Sequence, residues 1–339
     1  MMKKVLVLCT DFMYYADSYK RAFDNLGWEA VVLPSHLSLN DSQYFKRLLL
    51  AAGCSMRKDF EKKRREYNRL VLSTFDDFCP ELVYCSFLPN NLLKDTIIHI
   101  KETANIIITL PDTMALKPGG EDNVELFDYV FSFEKTDIDI LKSRGITAYP
   151  LMGSYDEQYY YKCDANKSID VCFVGKMYPE RKIILERIIN DLPEVNFCFY
   201  GEYAPLRKPV LFFKWLSDKR KHHVFKNRNI PFSEVNDLYN RSKIVLNIHC
   251  GQTKNGWASR LPEISATGSL QIVDSNPAIE EEFGDDFVIY TDYDDLLKKI
   301  LYYLKNDYER ERVAKEEMNH VLPMTKTNSV LSVLKNVGY

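Results

Sequence analysis

Residues 243–274 read KIVLNIHCGQTKNGWASRLPEISATGSLQIVD, and the fold follows from this stretch. Residues 243–248 are an apolar run of strand length, 261–267 are spaced as a helix, and 270–273 are a second short apolar run. Strand, helix, strand in that order is a parallel crossover unit, because two parallel strands need a long connection that covers a sheet face. Runs this apolar, without alternation, belong to strands buried on both faces.

The same alternation extends outward in both directions. In the C-terminal half the remaining strands are expected at 169–174, 196–200 and 287–289, with helices at 181–190 and 295–305. In the N-terminal half strands are expected at 4–9, 29–33, 82–84, 105–110, 129–131 and 147–149, with helices at 18–26, 91–102 and 136–144. A polar, tyrosine-rich segment after Pro150 interrupts the pattern. The expected class is α/β, with two Rossmann-like, doubly wound parallel-sheet domains facing a cleft. The divisions are an N-terminal domain at 1–150, a linker at 151–167, a C-terminal domain at 168–306, and helices at 307–339, broken by Pro323, that cross back to the first domain.

Length and composition agree. The chain has 339 residues, enough for two domains, and its 46% hydrophobic and 27% charged residues are ordinary for a globular protein. A formal net charge of −3 gives no general attraction to polyanions, so nucleic acid is not an expected partner. Cys9, Cys85, Cys172, Cys198 and Cys250 sit in or beside apolar runs, and no Cys-x-x-Cys pair occurs, which points to reduced thiols acting as small hydrophobes. The apolar run after Met-Met-Lys-Lys is too short for a signal peptide or a membrane span, so a cytoplasmic chain is expected.

Four pieces in order, DVCFVGK (170–176), YNRSKIVLN (239–247), NGWASRLPEISATGSLQIVD (255–274) and YTDYDDLLKKILYYLKND (290–307), resemble the C-terminal domain of the CgeB-like spore-maturation glycosyltransferases, a branch of the GT-B superfamily. In that pattern an Arg-x-x-Glu helix start, here Arg260 and Glu263, precedes a small-residue turn at Gly268 and a strand ending before Asp274. The resemblance covers 169–305. It implies a GT-B glycosyltransferase of polysaccharide-biosynthesis type, moving a sugar from a nucleotide diphosphate sugar to a hydroxyl of a glycan, lipid-linked or protein acceptor. It further implies a donor held by the C-terminal half, an acceptor on the N-terminal half, and neither metal nor cofactor beyond the donor. Related retaining families carry Glu-x7-Glu; here Asn255 stands at the first position.

The residue chemistry fits that expectation. Pro262 suits a first helical turn, which sets Glu263 near the helix start, where a carboxylate accepts two ribose hydroxyls; complementing the helix dipole, worth roughly 0.3–1 kcal/mol, is the plainer reading. A diphosphate calls for cations beside a strand end, and Lys176 and Arg181 follow Gly175, whose missing Cβ leaves room for a close approach. A lone Gly-Lys after a strand is also an ordinary turn. Gly201 ends the next strand, where Glu202 and Tyr203 would wall a base. Asn247, His249 and Lys254 follow the strand at 243–248; Asn247 and Lys254 are expected to face the donor, and His249 either does so or, as a lone histidine at a strand end more often is, is structural. Asp112, after the apolar strand 105–110 and Pro111, is the expected general base of an inverting mechanism, with an ordinary turn aspartate as the alternative. Asp11 contacts the acceptor or caps the following helix. Asp292 and Asp294 form a DxD, but their place before an apolar-periodic helix marks them as capping residues.

Two basic stretches remain. Residues 57–69 read as a solvated helix face. Residues 207–228 interleave lysines and arginines with Leu211, Phe212, Phe213 and Trp215, which fits an interfacial helix making peripheral contact at the inner membrane face and fits equally aromatics packed in a core with basic residues outside. Rival functions are a nucleotide-sugar epimerase, for which Asp11, His36 and Asp112 are a thin set, and a non-catalytic nucleotide-sugar or glycan-binding protein. No Gly-x-Gly-x-x-Gly follows either first strand, which argues against a dinucleotide enzyme.

Overall fold

The structure, a computed structural model, describes residues 2–12, 14–37, 56–110, 112–114, 123–249, 251 and 253–339, with the backbone alone for 56–59. Pro111, Cys250 and the side chain of Arg57 lie outside the described residues. The chain divides into two compact units, Met1–Met152 with Lys326–Tyr339, and Gly153–Thr325.

The first unit carries six strands, β1 (Lys4–Thr10), β2 (Glu29–Ser35), β3 (Leu82–Ser86), β4 (Asn105–Leu110), β5 (Tyr129–Ser132) and β6 (Ala148–Pro150), in the order β2-β1-β3-β4-β5-β6. Every pairing is parallel. The helices are α1 (Tyr15–Asn25), α2 (Met56–Phe78), α3 (Lys94–Lys101) and α4 (Lys135–Ser143). Register pairs Lys4 with Glu29 and Val5 with Leu82, so β1 is enclosed by strands on both edges. Its side chains alternate between two cores: Leu6 and Leu8 pack with Phe87 and Ile97, Val5 and Val7 with Phe23 of α1.

The second unit carries β7 (Ile169–Val174), β8 (Phe197–Tyr200), β9 (Ser242–Asn247), β10 (Leu270–Asp274) and β11 (Val288–Tyr290), all parallel, in the order β11-β10-β9-β7-β8. Its helices are α5 (Pro179–Asp191), α6 (Pro209–Ser217), α7 (Lys219–Val224), α8 (Phe232–Asn240), α9 (Arg260–Ser265), α10 (Pro277–Phe283), α11 (Tyr293–Lys305) and α12 (Asp307–Val321). The chain runs from β7 outward to β8, then returns past β7 to β9, so the carboxyl ends of β7 and β9 flank the switch point where open α/β sheets form a crevice.

Segments between and after the sheets depart from the sequence expectation. Of the stretch read as a linker at 151–167, residues 153–167 are fastened into the second unit: Asn236 Oδ1 accepts Tyr161 N at 3.0 Å, Asn240 Oδ1 accepts Cys163 N at 2.8 Å, and Tyr155 and Tyr160 are buried. The helical tail divides. α12 stays in the second unit, where Glu317 meets the sheet, and only the last helix, α13 (Lys326–Asn336), belongs to the first, burying Val330, Val333 and Leu334 against α1. The terminal Tyr339 hydroxyl accepts from Asn105 Nδ2 at 2.8 Å and donates to Glu81 O at 3.1 Å.

Cys9, Cys85, Cys172 and Cys198 are free and buried, and burial pushes the Cys9 and Cys172 thiols up to about 12, out of the reactive range. Asp292 caps α11 by accepting Asp295 N at 2.9 Å, the role its position predicted. Among the described residues no helix is long and apolar enough to cross a membrane.

Candidate functional site

Glycines at two strand ends shape the second unit's crevice. Gly175 closes β7, and its N–H donates to Tyr200 O at 3.0 Å. Gly201 closes β8 at φ 146°, and a Cβ there would stand 2.1 Å from Gly175 O. Only glycine allows this approach of two strand ends. A Cβ on Gly175 would in turn meet Arg260 Nη1 at 3.2 Å and Arg181 Nη1 at 3.4 Å, so two guanidiniums converge on the space that the missing side chain leaves.

Each arginine is held by its own element. Pro179 starts α5 and sets Arg181 in the first turn, 6% exposed, with Nε donating to Ile248 O at 2.8 Å and Nη1 to Lys176 O at 3.1 Å. Tyr178, at the N-cap, makes no side-chain cap bond and lies with its ring 5.3 Å from the guanidinium. Arg181 therefore spans the switch point, tying the segment after β7 to the end of β9. Arg260 opens α9, half-buried, and its positive charge acts on the hydroxyl of Tyr239, which is 2% exposed and whose titration is pushed up by burial, with Arg260 opposing. Glu263, three residues on, shares that helix face and is also half-buried. Lys176 and Lys254 are exposed.

Next to the arginines lies a pair that spacing alone did not pick out. Asp274, at the end of β10, accepts His249 Nδ1 at 2.7 Å and the His249 backbone N–H at 2.9 and 3.0 Å. The Tyr290 hydroxyl, at the end of β11, is raised by burial first and then by Asp274, with Arg181 opposing. The sequence signal was present, since each residue follows an apolar strand of one parallel sheet, but which ends adjoin depends on strand order.

One candidate moves out of the site. Asn247 is 2% exposed, donates to Gln271 Oε1 at 2.9 Å, and through Gln271 is linked to Leu261 O and Ser265 Oγ. In a strand successive side chains face opposite sides, and this one turns into the core to fasten β9 to β10 and α9.

A cavity of about 400 Å³ lies beside Gly201, lined by Met177, Pro179, Lys182, Ile183, Glu202 and Tyr203 among others. Tyr203 stacks on Phe225 with ring centroids 4.0 Å apart and donates to Glu186 Oε1 at 2.6 Å, and Lys182 Nζ lies 4.2 Å from its ring centroid. The lining combines aliphatic and aromatic side chains with the charged Lys182, Glu186, Glu202, Arg207 and Lys208, so an apolar wall is rimmed by groups of both signs.

In the first unit Asp112 is half-buried in a bend past the end of β4. Asp11 does not cap α1, whose N-cap is Tyr14; its Oδ2 instead lies 2.7 Å from His36 Nδ1, an exposed pair at the ends of β1 and β2. Among the described residues no three His, Cys, Asp or Glu side chains form a metal-ligand set.

Residues 181–330 match a family model described as glycosyl transferase-like. No curated protein sequence matches the chain. Among solved structures, sucrose-phosphate synthase from Thermosynechococcus elongatus superposes with a TM-score of 0.71 at 9% identity, covering 99% of each chain. Anabaena Alr3699/HepE, solved with UDP and glucose, gives 0.67 at 11% identity over 99% of each chain. A glycosyltransferase from Rickettsia africae ESF-5 gives 0.66 at 10% identity over 99% of this chain and 97% of that one. With its six- and five-stranded parallel sheets, the chain has the GT-B architecture, as the sequence led us to expect.

Proposed function

We propose that this chain transfers a sugar from a nucleotide diphosphate sugar to a hydroxyl of a glycan, lipid-linked or protein acceptor, as a member of the CgeB-like branch. The observation that carries the reading is the convergence of Arg181 and Arg260 on Gly175 at the switch point of the second unit. Two like charges held together in a partly desolvated site favour an anion between them. A diphosphate leaving group fits best, because its negative charge grows as the bond from the anomeric carbon breaks and the electron pair passes to the phosphate oxygen. Lys176, exposed at the rim, would add a third cation, and in this reading the three cations meet the charge in place of a metal ion.

Glu263 would accept the ribose hydroxyls, and the wall of Met177, Glu202 and Tyr203 would receive the base. The UDP- and glucose-bound neighbour of the same architecture supports a donor of this class. Asp112 is the proposed general base: it would take the proton from the acceptor hydroxyl as that oxygen bonds to the anomeric carbon.

The deciding experiment is a thermal-shift panel with UDP, GDP, TDP, CDP and ADP, followed by a transfer assay with the responding nucleotide's sugars. A ligand at a hundred times its Kd adds about 2.7 kcal/mol of stability. No response to any nucleoside diphosphate would overturn the reading. Interconversion of free nucleotide sugars without an acceptor would replace it with an epimerase, and tight binding without turnover with a binding protein.

A further inference from the structure

The outward side of α6 is apolar where a surface helix is normally polar. Leu211, Phe212 and Trp215 turn inward onto the second unit's core, and Trp215 Nε1 donates to Phe225 O at 3.1 Å. On the other side Val210, Phe213 and Leu216 are 71%, 65% and 48% exposed, and Leu206 just before the helix is 76% exposed. Single exposed hydrophobes need no explanation, but these recur at helical spacing, and Val210, Phe213 and Leu216, with Lys214 and Ser217, form one shallow, open patch of surface. A helix that is apolar all round belongs in a core or against an apolar phase.

The charge around this face selects the phase. The whole chain is at −3, yet between residues 205 and 228 the only acid is Asp218, and it is occupied in capping α7 by accepting Lys221 N at 3.0 Å. Arg207 and Lys221 are paired with Glu202 and Glu186. Lys208, Lys214 and Lys219 are exposed and form no ion pair among the described residues. They flank the apolar residues on a short stretch of chain, which is the arrangement of a helix lying in a headgroup region. A second copy of the chain fits poorly, because a two-fold contact would set these lysines against themselves.

We propose that this face docks the protein on an anionic bilayer surface, with Val210, Phe213 and Leu216 entering the headgroup boundary and Lys208, Lys214 and Lys219 meeting lipid phosphates. The proposal does not rest on the transfer reading: it involves neither arginine of the crevice, and of its six residues Lys208 alone also lines the cavity beside Gly201, so the variants below leave Lys208 in place.

Flotation of the full chain with phosphatidylcholine vesicles, with and without phosphatidylglycerol, tests it. Binding is expected to the anionic vesicles only, and to weaken as salt rises from about 0.1 M to about 1 M and the Debye length falls from ~10 Å to ~3 Å. At roughly fivefold per lysine, the double variant Lys214→Glu with Lys219→Glu should bind at least about twentyfold more weakly. Phe213→Ser with Leu216→Ser should also lose binding while keeping its nucleotide-induced thermal shift. Should the apolar variant fail to fold, the exposed lysine pair keeps the test decisive. Equal binding to neutral and anionic vesicles, no binding to either, or a dimer in sedimentation velocity that the apolar variant dissolves would each overturn the proposal.

Discussion

Asp274 holds His249 by two routes at once, accepting its ring Nδ1 at 2.7 Å and its backbone N–H at 2.9 Å. One carboxylate thus fixes both the strand end and the side chain that leaves it. The His249 side chain is 7% exposed and Asp274 26%, so the bonds are largely shielded from water. Hydrogen bonds to a charged group in such a setting contribute about 1.5–3 kcal/mol. Asp274→Ala is expected to lower stability by that order, read as a drop in urea midpoint at unchanged m-value. A loss of only a few tenths would mean that water replaces the carboxylate.

Arg260 and Arg181 should behave differently on replacement. Arg260→Lys removes the fork that reaches the space over Gly175 and leaves the Arg181 bond to Ile248 O in place. If this space holds the leaving diphosphate, kcat should fall about 10²–10³-fold while the unfolding midpoint stays near wild type. Arg181→Lys should lose stability as well, because Ile248 O loses its buried donor. Steady-state kinetics showing a raised KM at unchanged kcat would reduce Arg260 to a binding group.

Asp112→Asn isolates the proposed base. Amidation keeps the shape and removes the proton acceptor, so transfer should fall about 10²–10⁴-fold with nucleotide affinity unchanged by calorimetry. A turn aspartate would lose only local bonds. Transfer within a fewfold of wild type would remove Asp112 from the site.

Gly201→Ala tests the glycine contact at the strand ends. Its Cβ would stand 2.1 Å from Gly175 O, a backbone atom that cannot swing aside, in a conformation that L-residues rarely adopt. Overpacking and backbone strain each cost about 1–3 kcal/mol. Gly284→Ala in the same unit carries the strained φ of 41° but meets no atom within 4 Å, so it should lose distinctly less in a denaturant titration. Equal losses would show that the strand ends can separate.

Glu317 gives the fold a pH dependence. Burial pushes its carboxyl well above the usual range, against the backbone N–H groups of Gln271 and Val288 that favour the charged form. A carboxyl raised on folding binds its proton more tightly in the native state, so its stabilisation is complete below the unfolded value of about 4.3 and is lost as pH rises through the folded value. Stability of wild type relative to Glu317→Gln should therefore decline from about pH 4.3 upward. A difference that is flat or rises with pH would contradict the burial argument.

The two sheets were legible in the chain because buried parallel strands are written as unbroken apolar runs, such as 243–248 and 169–174, with helical spacing between them. Arg181 and Glu263 were readable as site candidates from their places at helix starts, which is local information, whereas Arg260 was a candidate only through the family resemblance. Asn247 was misread because nothing local distinguishes a side chain facing the crevice from one turned into the core, where Gln271 holds it. The segment 153–167 carries no periodicity, and what fastens it to the second unit lies far along the chain: Asn236 and Asn240 accept its backbone N–H groups, and Lys167 Nζ donates to Ser242 O and Ser269 Oγ.

By itself, then, the sequence determined which segments are strands and helices, since periodicity and apolar content act over a few residues. Strand order was decided by tertiary structure, and with it the neighbours of each strand end. β7 lies between β8 and β9, and for that reason Arg181 reaches Ile248 O and converges with Arg260 over Gly175. His249 meets Asp274 because β9 and β10 adjoin. Contacts between residues so far apart in the chain depend on how whole elements pack, and no window of local spacing encodes that.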